Sequence, residues 1–252
     1  MICLRVGEIV LLLSEDSSYI TEVKEGKLHT KDGIFDLNEL LKKRFGEKIK
    51  THLGKEFSIV RPSFNDLLEK KARRGPQIIM PKDASLILAY TGISPGSFVV
   101  DVGTGSGFLA IFLANHVKPG KVVSYEKDRR MLKIAEKNVE LFDLSDFIDI
   151  KNKDASKGIS EKNVDLVTVD IKNPEKVIEH AYKSLKVGGW LVVYSPTIEE
   201  VISVTKKIKR LNFSYIKTVE NIVREWQTER TTRPKTIGIM HTGFMTFARK
   251  VS

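Results

Sequence analysis

The sequence predicts an α/β protein with a mainly parallel β-sheet, preceded by a small β-rich module. From Phe98 onward, short apolar runs typical of strands alternate regularly with helical patterns. This alternation is typical of βαβ units, in which helices cover both faces of a parallel sheet. Residues 1–60 instead alternate apolar and polar positions in short bursts between turn residues, which predicts a separate, mostly β module.

The chain of 252 residues can bury a full core, and we expect one large domain with a small appendage. We predict three segments: a small mostly-β domain at 1–60, a linker and helical segment at 61–92, and an α/β domain at 93–252. In the middle segment, Asp83 is expected to cap a helix at 84–90, because a short carboxylate can accept hydrogen bonds from the free backbone N–H groups of a first turn. The last stretch, 214–251, is expected to close the sheet with an antiparallel edge.

The composition is that of an ordinary globular protein, with 41% hydrophobic and 29% charged residues. A formal net charge of +10 indicates a polyanionic partner, since lysine and arginine gain affinity by releasing counterions from phosphates. A lysine-rich solvated surface, as thermophilic proteins often carry, explains the charge equally well. The charge alone therefore leaves both interpretations open.

Cys3 is the only cysteine, which excludes an intrachain disulfide and a thiolate metal cluster within one chain. We expect it to be a small buried hydrophobic residue in a reducing compartment. No apolar run approaches the length of a membrane-spanning helix, and the first residues lack the pattern of a secretory leader. A cytoplasmic protein without a membrane segment is therefore expected, and no metal site is predicted.

A glycine-rich turn between a strand and a helix is the strongest chemical signal. The run Asp101–Gly107 reads DVGTGSG and follows the apolar residues Phe98, Val99 and Val100. Glycines there allow a sharp turn and the close approach of a ligand, because no Cβ stands in the way. Phe108 occupies the position where a dinucleotide fingerprint requires glycine. The spacing and the acidic Asp101 thus favour a cationic ligand without phosphate.

Acidic residues also end the strands that follow the turn. Glu126 ends the next predicted strand, where a carboxylate can accept hydrogen bonds from both hydroxyls of a ribose. Asp154 ends the third and is placed to bind the amino group of an adenine. Asp170 ends the fourth, at the carboxyl edge of the sheet where doubly wound folds bind their ligands. Four acids at four successive strand ends form a specific pattern, although each alone could be a solvated loop residue or a helix cap.

On this basis the sequence resembles the tRNA (adenine-N1)-methyltransferase family over nearly its whole length. The narrower evidence is the segment Gln77–Asp83 (QIIMPKD) and the segment His241–Phe244 (HTGF), since the glycine turn alone identifies only the superfamily. The other matching segments are Thr51–Lys55, Asp101–Gly107, Tyr125-Glu126, Tyr194–Thr197, Arg224–Trp226 and Arg233-Pro234. One departure is at Asp170, where the family usually reads Asp-Leu-Pro-x-Pro-Trp and this chain reads Asp-Ile-Lys-Asn-Pro-Glu. The missing tryptophan puts the shape of the adenine pocket in question.

The resemblance implies a Rossmann-like, class I S-adenosylmethionine-dependent methyltransferase whose catalytic domain is 93–252. It implies methylation of adenine N1 in the T-loop of tRNA, at the position conventionally numbered 58 and in some members also at 57, by a homotetramer. Asp101 would help to orient the amino-acid end of S-adenosylmethionine, directly or through water. The predicted cofactor-binding residues are Gln77, Asp101, Gly103, Thr104, Gly105, Ser106, Gly107, Phe108, Glu126, Lys127, Asp154, Ala155 and Asp170.

Asp170 and Tyr194 are the candidate catalytic residues. Asp170 would accept a hydrogen bond from the exocyclic amine and favour the positive charge that develops on the base. Tyr194 could stack on or border the extruded base, although a core aromatic at a strand end has the same pattern. The candidate RNA-binding residues, which would contact phosphates, are Arg73, Arg74, Arg230 and Arg233.

Two other functions remain open at this point. A non-catalytic RNA-binding subunit could keep the fold without binding the cofactor, but the intact glycines and acids argue against it. A methyltransferase for a protein or small molecule, such as the isoaspartate or precorrin enzymes, could share the core. The basic charge and the N-terminal module favour tRNA instead.

Overall fold

The computed structural model describes residues 3–75, 78–228, 231–236, 238 and 241–252. The chain divides into two compact units, Met1–Ala72 and Arg73–Ser252. No helix in the described part of the chain is both long enough and apolar enough to cross a membrane.

The first unit is mostly β, as the alternation of residues 1–60 predicts. Its strands are β1 (Ile9–Leu13), β2 (Ser18–Glu22), β3 (Lys27–Thr30), β4 (Gly33–Asp36), β5 (Lys48–Lys50) and β6 (Glu56–Val60). An antiparallel sheet runs in the order β2-β1-β6-β5, and β3 and β4 form a separate hairpin. Phe35 and Phe57 meet in the core with ring centroids 4.9 Å apart. A 3₁₀ helix (Leu37–Lys42) and a short helix, α1 (Phe64–Lys70), complete the unit.

Cys3 is exposed, so the expectation of a buried thiol was wrong. The core of the first unit begins at the next residue, Leu4, which is buried against the β-sheet residues.

The second unit is the α/β domain. Its helices are α2 (Pro81–Thr91), α3 (Phe108–Val117), α4 (Arg129–Leu141), α5 (Ile178–Ser184) and α6 (Ile198–Ile208), with 3₁₀ turns at Ala155–Lys157 and Pro174–Lys176. Its strands are β7 (Phe98–Val102), β8 (Lys121–Tyr125), β9 (Ile148–Lys151), β10 (Val164–Val169), β11 (Leu185–Ser195), β12 (Phe213–Glu220), β13 (Trp226–Gln227), β14 (Arg233–Pro234) and β15 (Phe244–Lys250).

Seven strands form one sheet in the order β12-β15-β11-β10-β7-β8-β9, and β13 pairs separately with β14. Strands β7 to β11 are parallel, while β15 runs antiparallel to both β11 and β12. Strands β12 and β15, from the last stretch of the chain, thus close one side of the sheet by antiparallel pairing, as expected. The outermost strand is β12, because β15 comes later in the sequence but lies between β12 and β11.

The topology fixes where a ligand can bind. From β7 the chain continues to β8 and β9 on one side, whereas β10 and β11 lie on the other. In open α/β sheets, this switch point leaves a crevice at the carboxyl ends of the strands. The glycine turn follows β7 and therefore lies at the crevice.

Asp83 does not cap a helix, contrary to the prediction. Helix α2 begins at Pro81 with Met80 as its N-cap, and no side chain caps it. Proline has no N–H and a φ that suits the first helical position, so the helix can begin earlier than the carboxylate suggests. Asp83 is fully buried and accepts hydrogen bonds from Lys82 Nζ and Thr242 Oγ1, each at 2.8 Å. Its task is to hold the segment after β14 against α2.

The first glycine of the turn is required by strand packing. Gly103 has a φ of +101°, and a Cβ at this position would lie 2.1 Å from the carbonyl oxygen of Asp170. Such a contact is impossible without moving the end of β7 or β10. Glycine at 103 therefore allows the two central strands to end side by side.

We expect Gly103→Ala to destabilise the protein far more than Gly96→Ala. Gly96 has a similar φ of +93° but nothing within 4 Å of a built Cβ, so its variant bears only the cost of a left-handed conformation, about 1–2 kcal/mol. Gly103→Ala adds overpacking against backbone and should lose a further ~2 kcal/mol or more. Urea unfolding of both variants measures the difference, and equal losses would contradict the assignment.

Candidate active site

A cavity of about 520 Å³ opens at the carboxyl ends of β7, β8 and β10. Its wall contains most of the predicted cofactor-binding residues: Gly103, Thr104, Gly105, Ser106, Phe108, Glu126, Lys127, Asp154, Ala155 and Asp170. Asp101 and Gly107 are not on this wall. Gln77 lies outside the described residues. The fold thus brings the three acids after β8, β9 and β10 to one cavity with the glycine turn.

Asp101 lies beneath the turn. It is buried in the central strand β7, and its carboxylate accepts hydrogen bonds from Ser124 Oγ at 2.6 Å and Thr168 Oγ1 at 2.7 Å. Ser124 Oγ is also 2.6 Å from Thr104 Oγ1, so the carboxylate is linked to the turn through two hydroxyls. Burial raises the pKa of Asp101. Asp101 thus faces the two neighbouring strands, and its contact with the cofactor, directly or through water, stays a prediction.

The other two glycines of the turn differ from Gly103 and from each other. Gly105 has a φ of +53°, and the nearest atom to a built Cβ would be the Gly103 carbonyl oxygen at 4.0 Å. Gly107 has a φ of +86°, and its Cβ would lie 3.3 Å from Cβ of Ala135 on α4. Among the three, only Gly105 fits the prediction that glycine leaves room for a ligand.

Glu126 ties the glycine turn to the end of β8. Its Oε2 accepts from the backbone N–H of Gly105 at 2.9 Å, and its Oε1 accepts from that of Asp128 at 2.8 Å. These donors fix the carboxylate on the cavity wall. A ribose bound here would therefore meet a carboxylate whose position is already set.

Asp154 begins the 3₁₀ turn Ala155–Lys157. Its Oδ1 accepts from the backbone N–H of Ser156 at 2.9 Å and from the hydroxyl of the same residue at 2.7 Å. These hydrogen bonds lower the pKa of Asp154. The side chain is thus an anchored, ionised acceptor on the cavity wall.

Asp170 has the most perturbed environment of the three acids. Its backbone N–H donates to the Val102 carbonyl oxygen at 2.8 Å, which fixes it at the end of β10 beside the turn. Burial raises the pKa of Asp170 to about 7, and the negative charges of Asp101 and Glu200 add to this. A carboxyl with a pKa near 7 is a mark of functional sites, because the cost of its charge is offset only by a cationic ligand or transition state.

Tyr194 is placed differently from the prediction. Its side chain is buried, and its hydroxyl donates a hydrogen bond to the Thr242 carbonyl oxygen. A Cβ at Gly243 would lie 2.5 Å from Cζ of this ring, so the backbone at Gly243 packs directly on the tyrosine. Burial raises the pKa of Tyr194 to about 12. The residue lines a small separate cavity, not the wall described above, so in this conformation it does not present a stacking face there.

Sequence reasoning missed part of the wall: Ile78, Ile79, Val102, Leu109, Tyr125, Lys153, Ile171, Lys172, Pro196 and Glu200. Several are sequence neighbours of predicted residues, so adjacency to Glu126, Asp154 or Asp170 could have found them. Pro196 and Glu200 lie in or close to the Tyr194–Thr197 segment, but only the fold brings the start of α6 to the crevice. A buried Tyr125 also lies on the wall, and its hydroxyl donates to Glu161 Oε2 at 2.5 Å.

Three of the four predicted RNA-binding arginines lie among the described residues. Arg73 and Arg74 are both exposed at the start of the second unit. The guanidinium of Arg74 lies 6.0 Å from the ring centroid of Phe108, which is on the cavity wall. Arg233 is exposed on β14, and Arg230 lies outside the described residues.

The wall fits the predicted cofactor. The open side of Gly105 leaves space for a ligand against the turn. The hydroxyl of Ser106, buried on the same wall, has no hydrogen-bond partner among the described residues, and a buried hydroxyl is normally satisfied. Carboxylates suit the ribose hydroxyls and cationic groups of S-adenosylmethionine.

We expect Asp170→Asn to stabilise the protein at pH 8 and to change little at pH 4. The pKa of about 7 in the folded chain lies above the ordinary value of 3.8. The folded state therefore holds the proton more tightly, and stability is lost as the pH rises between these values. The difference corresponds to at most about 4 kcal/mol above pH 7.

Urea unfolding between pH 4 and pH 8 measures this effect. Asp149→Asn, at an exposed position on β9, is the control and should show no such gain. A stability difference for Asp170→Asn that is the same at every pH would rule out the raised pKa.

Comparison with known proteins agrees with this site. A family model described as the tRNA methyltransferase complex GCD14 subunit matches residues 67–237. The tRNA (adenine(57)-N(1)/adenine(58)-N(1))-methyltransferase of Methanocaldococcus jannaschii is 36% identical, over 92% of this chain and 90% of its own. These matches confirm the family resemblance.

Two solved structures share the whole fold. One, described as an S-adenosylmethionine-dependent O-methyltransferase of Thermotoga maritima, has a TM-score of 0.92 at 37% identity and covers 99% of this chain and 95% of its own. The tRNA (m1A58) methyltransferase of Aquifex aeolicus has a TM-score of 0.88 at 26% identity, with 99% of each chain covered. The predicted Rossmann-like methyltransferase fold is confirmed. The chain belongs to the tRNA (adenine-N1)-methyltransferase family.

Proposed function

We propose that this chain transfers a methyl group from S-adenosylmethionine to N1 of an adenine in the T-loop of tRNA. The observation that carries the proposal is Asp170, an acid with a raised pKa at the switch point, on one wall with the glycine turn and Glu126. The relatives named for adenine 57 and 58 support the position on tRNA. We place the methylated adenine at 58, with 57 as a second site to be tested.

The cofactor would bind along the glycine turn. Its ribose hydroxyls would donate hydrogen bonds to Glu126, and its adenine amino group would donate to Asp154. Gly105 would leave room for the cofactor against the turn. When bound, it supplies a methyl group on a positively charged sulfonium. Asp101 would act indirectly, by bracing the turn through Ser124 and Thr104.

The proposed reaction requires no strong acid or base. Adenine N1 already has a lone pair, so in-line positioning of the base would supply most of the acceleration. Asp170 would accept a hydrogen bond from the exocyclic amine and stabilise the positive charge that arrives on the ring. Since N1 faces its partner in folded tRNA, the base must be flipped out, at a cost of about a few kcal/mol.

Incubation of the pure protein with labelled S-adenosylmethionine and an unmodified tRNA transcript tests the function. We expect N1-methyladenine at position 58 and its loss in a transcript with guanine at 58; a transcript without adenine at 57 tests the second site. Label on a ribose or a protein hydroxyl would instead agree with the O-methyltransferase description of the Thermotoga maritima match. No transfer with normal tRNA binding would favour a non-catalytic subunit.

Asp170→Asn should slow methyl transfer about thirtyfold or more while leaving both dissociation constants near normal. The amide can still accept one hydrogen bond, so ground-state binding persists, but the charge that stabilises the transition state is lost, at roughly 2–4 kcal/mol. Single-turnover methylation at pH 8 with saturating substrates measures the step. A normal rate would mean that positioning alone drives the reaction.

We also propose that Arg73 and Arg74 contact tRNA phosphates. Replacing both by glutamine should weaken tRNA binding and reduce the slope of log affinity against log salt by about 1 to 2. Cofactor affinity should stay the same, which calorimetry can check. An unaltered slope would show that these arginines are only part of the solvated surface. Assembly as a homotetramer in the cytoplasm is a further proposal that rests on the family resemblance.

A further inference from the structure

Glu200 is an acid on the cavity wall whose charge nothing in the proposed mechanism uses. It lies in the first turn of α6, where its backbone N–H donates to Thr197 Oγ1 at 3.4 Å. The side chain is partly buried, and its Oε2 is shielded from solvent without a hydrogen-bond partner among the described residues. A buried carboxylate oxygen without a donor is costly, so its retention on a ligand-binding wall needs a reason.

The position of Glu200 relative to the strands of the sheet gives that reason. Glu126 and Asp154, the proposed ligands of the cofactor, follow β8 and β9 on one side of β7. Asp170 and Glu200 follow β10 and β11 on the other side. The cavity therefore has an acidic pair on the side away from the cofactor ribose, where the target base would enter.

Charged groups from three elements surround this pair. Lys172, in the loop after β10, lowers the pKa of Glu200, whereas burial and Glu175, in the 3₁₀ turn that packs against α6, raise it. Glu200 in turn raises the pKa of Asp170, after burial and Asp101. The phenol of Tyr194 is a further titratable group that Asp170 influences.

We propose that Glu200 is a positioning residue for methyl transfer, which forms with Asp170 a carboxylate pair that favours a cationic base on this side of the cavity. The inference rests on the proposed function. Two carboxylates held on one wall repel each other when both are ionised. A positive charge between or beside them offsets this repulsion. The pair would thus respond more strongly to a cation than Asp170 could alone.

The reaction delivers such a cation. The bond between adenine N1 and the methyl carbon forms, the bond between carbon and sulfur breaks, and sulfur keeps the electron pair. The positive charge passes from sulfur to the purine, and no proton has to move. Negative charge on the base side of the cavity therefore favours the transition state over the bound reactants.

The coupling can be measured without any methyl transfer. The stability difference between Asp170 and Asp170→Asn, followed against pH, reports the midpoint at which Asp170 titrates. In a Glu200→Gln background we expect this midpoint to fall by about one pH unit, because the like charge is gone. Glu199→Gln, on the same helical turn but exposed, is the matched control and should leave the midpoint unchanged.

Single-turnover methylation of tRNA tests the role in transfer. Glu200→Gln should lower the rate at high pH about tenfold and move the pH midpoint of the rate downward, with little change in tRNA affinity. Glu200→Asp, which keeps the charge, should recover part of the rate, and Glu199→Gln should match the wild type. If Glu200→Gln does not fold, Glu200→Met, which also removes the charge, replaces it in both measurements.

The outcomes separate the two proposals. An unchanged midpoint in the stability measurement would overturn the pair, whatever the enzyme methylates. A shifted midpoint with a normal rate of transfer would overturn the role of Glu200 in the reaction. Absence of methylated adenine with the wild-type protein would overturn the proposed function, and the stability measurement would still decide whether the two acids are coupled.

Discussion

The close approach of two central strands is the constraint on which the site depends. The Asp170 carbonyl oxygen lies where a side chain at Gly103 would begin, so β7 and β10 can end side by side only with glycine there. The hydrogen bond from Asp170 N–H to the Val102 carbonyl oxygen fixes the same junction from the other direction. As a result, the glycine turn and the acid after β10 share one wall. A displaced turn would separate the proposed cofactor site from Asp170.

Acids of the same chemical type have different tasks because their surroundings differ. Asp101 is buried and satisfied by two hydroxyls, so it braces the turn. Glu126 and Asp154 accept backbone N–H bonds, which fix charged acceptors on the wall. Asp170 has burial and like charge without a cationic partner among the causes of its pKa, and is therefore the acid that responds to an arriving positive charge.

The sequence predicted most of this from local pattern. Alternation predicted a β-rich module before an α/β domain, and the glycine turn with acids at strand ends predicted several residues that line the cavity, because parallel strands end at a common edge. What it could not predict depends on contacts between distant segments. Asp83 has the position of a helix cap but is used in an ion pair with Lys82 and a hydrogen bond from Thr242. Similarly, Glu200 follows the Tyr194–Thr197 segment closely in sequence, but only the packing of α6 brings its side chain to the cavity.

This chain departs from the usual family motif in the residues that follow Asp170. Asn173 adopts a left-handed conformation with a φ of +59°, and Pro174 begins the 3₁₀ turn, so the backbone course is set by the two residues that lie between positions 172 and 175. The charged residues that replace the usual proline and tryptophan are Lys172 and Glu175. Both act on Glu200, one lowering and the other raising its pKa. Where the family has a rigid residue and an aromatic ring, this chain has charges of opposite sign around its second acid. In the proposed pair, Glu200 would be the residue through which these charges influence Asp170.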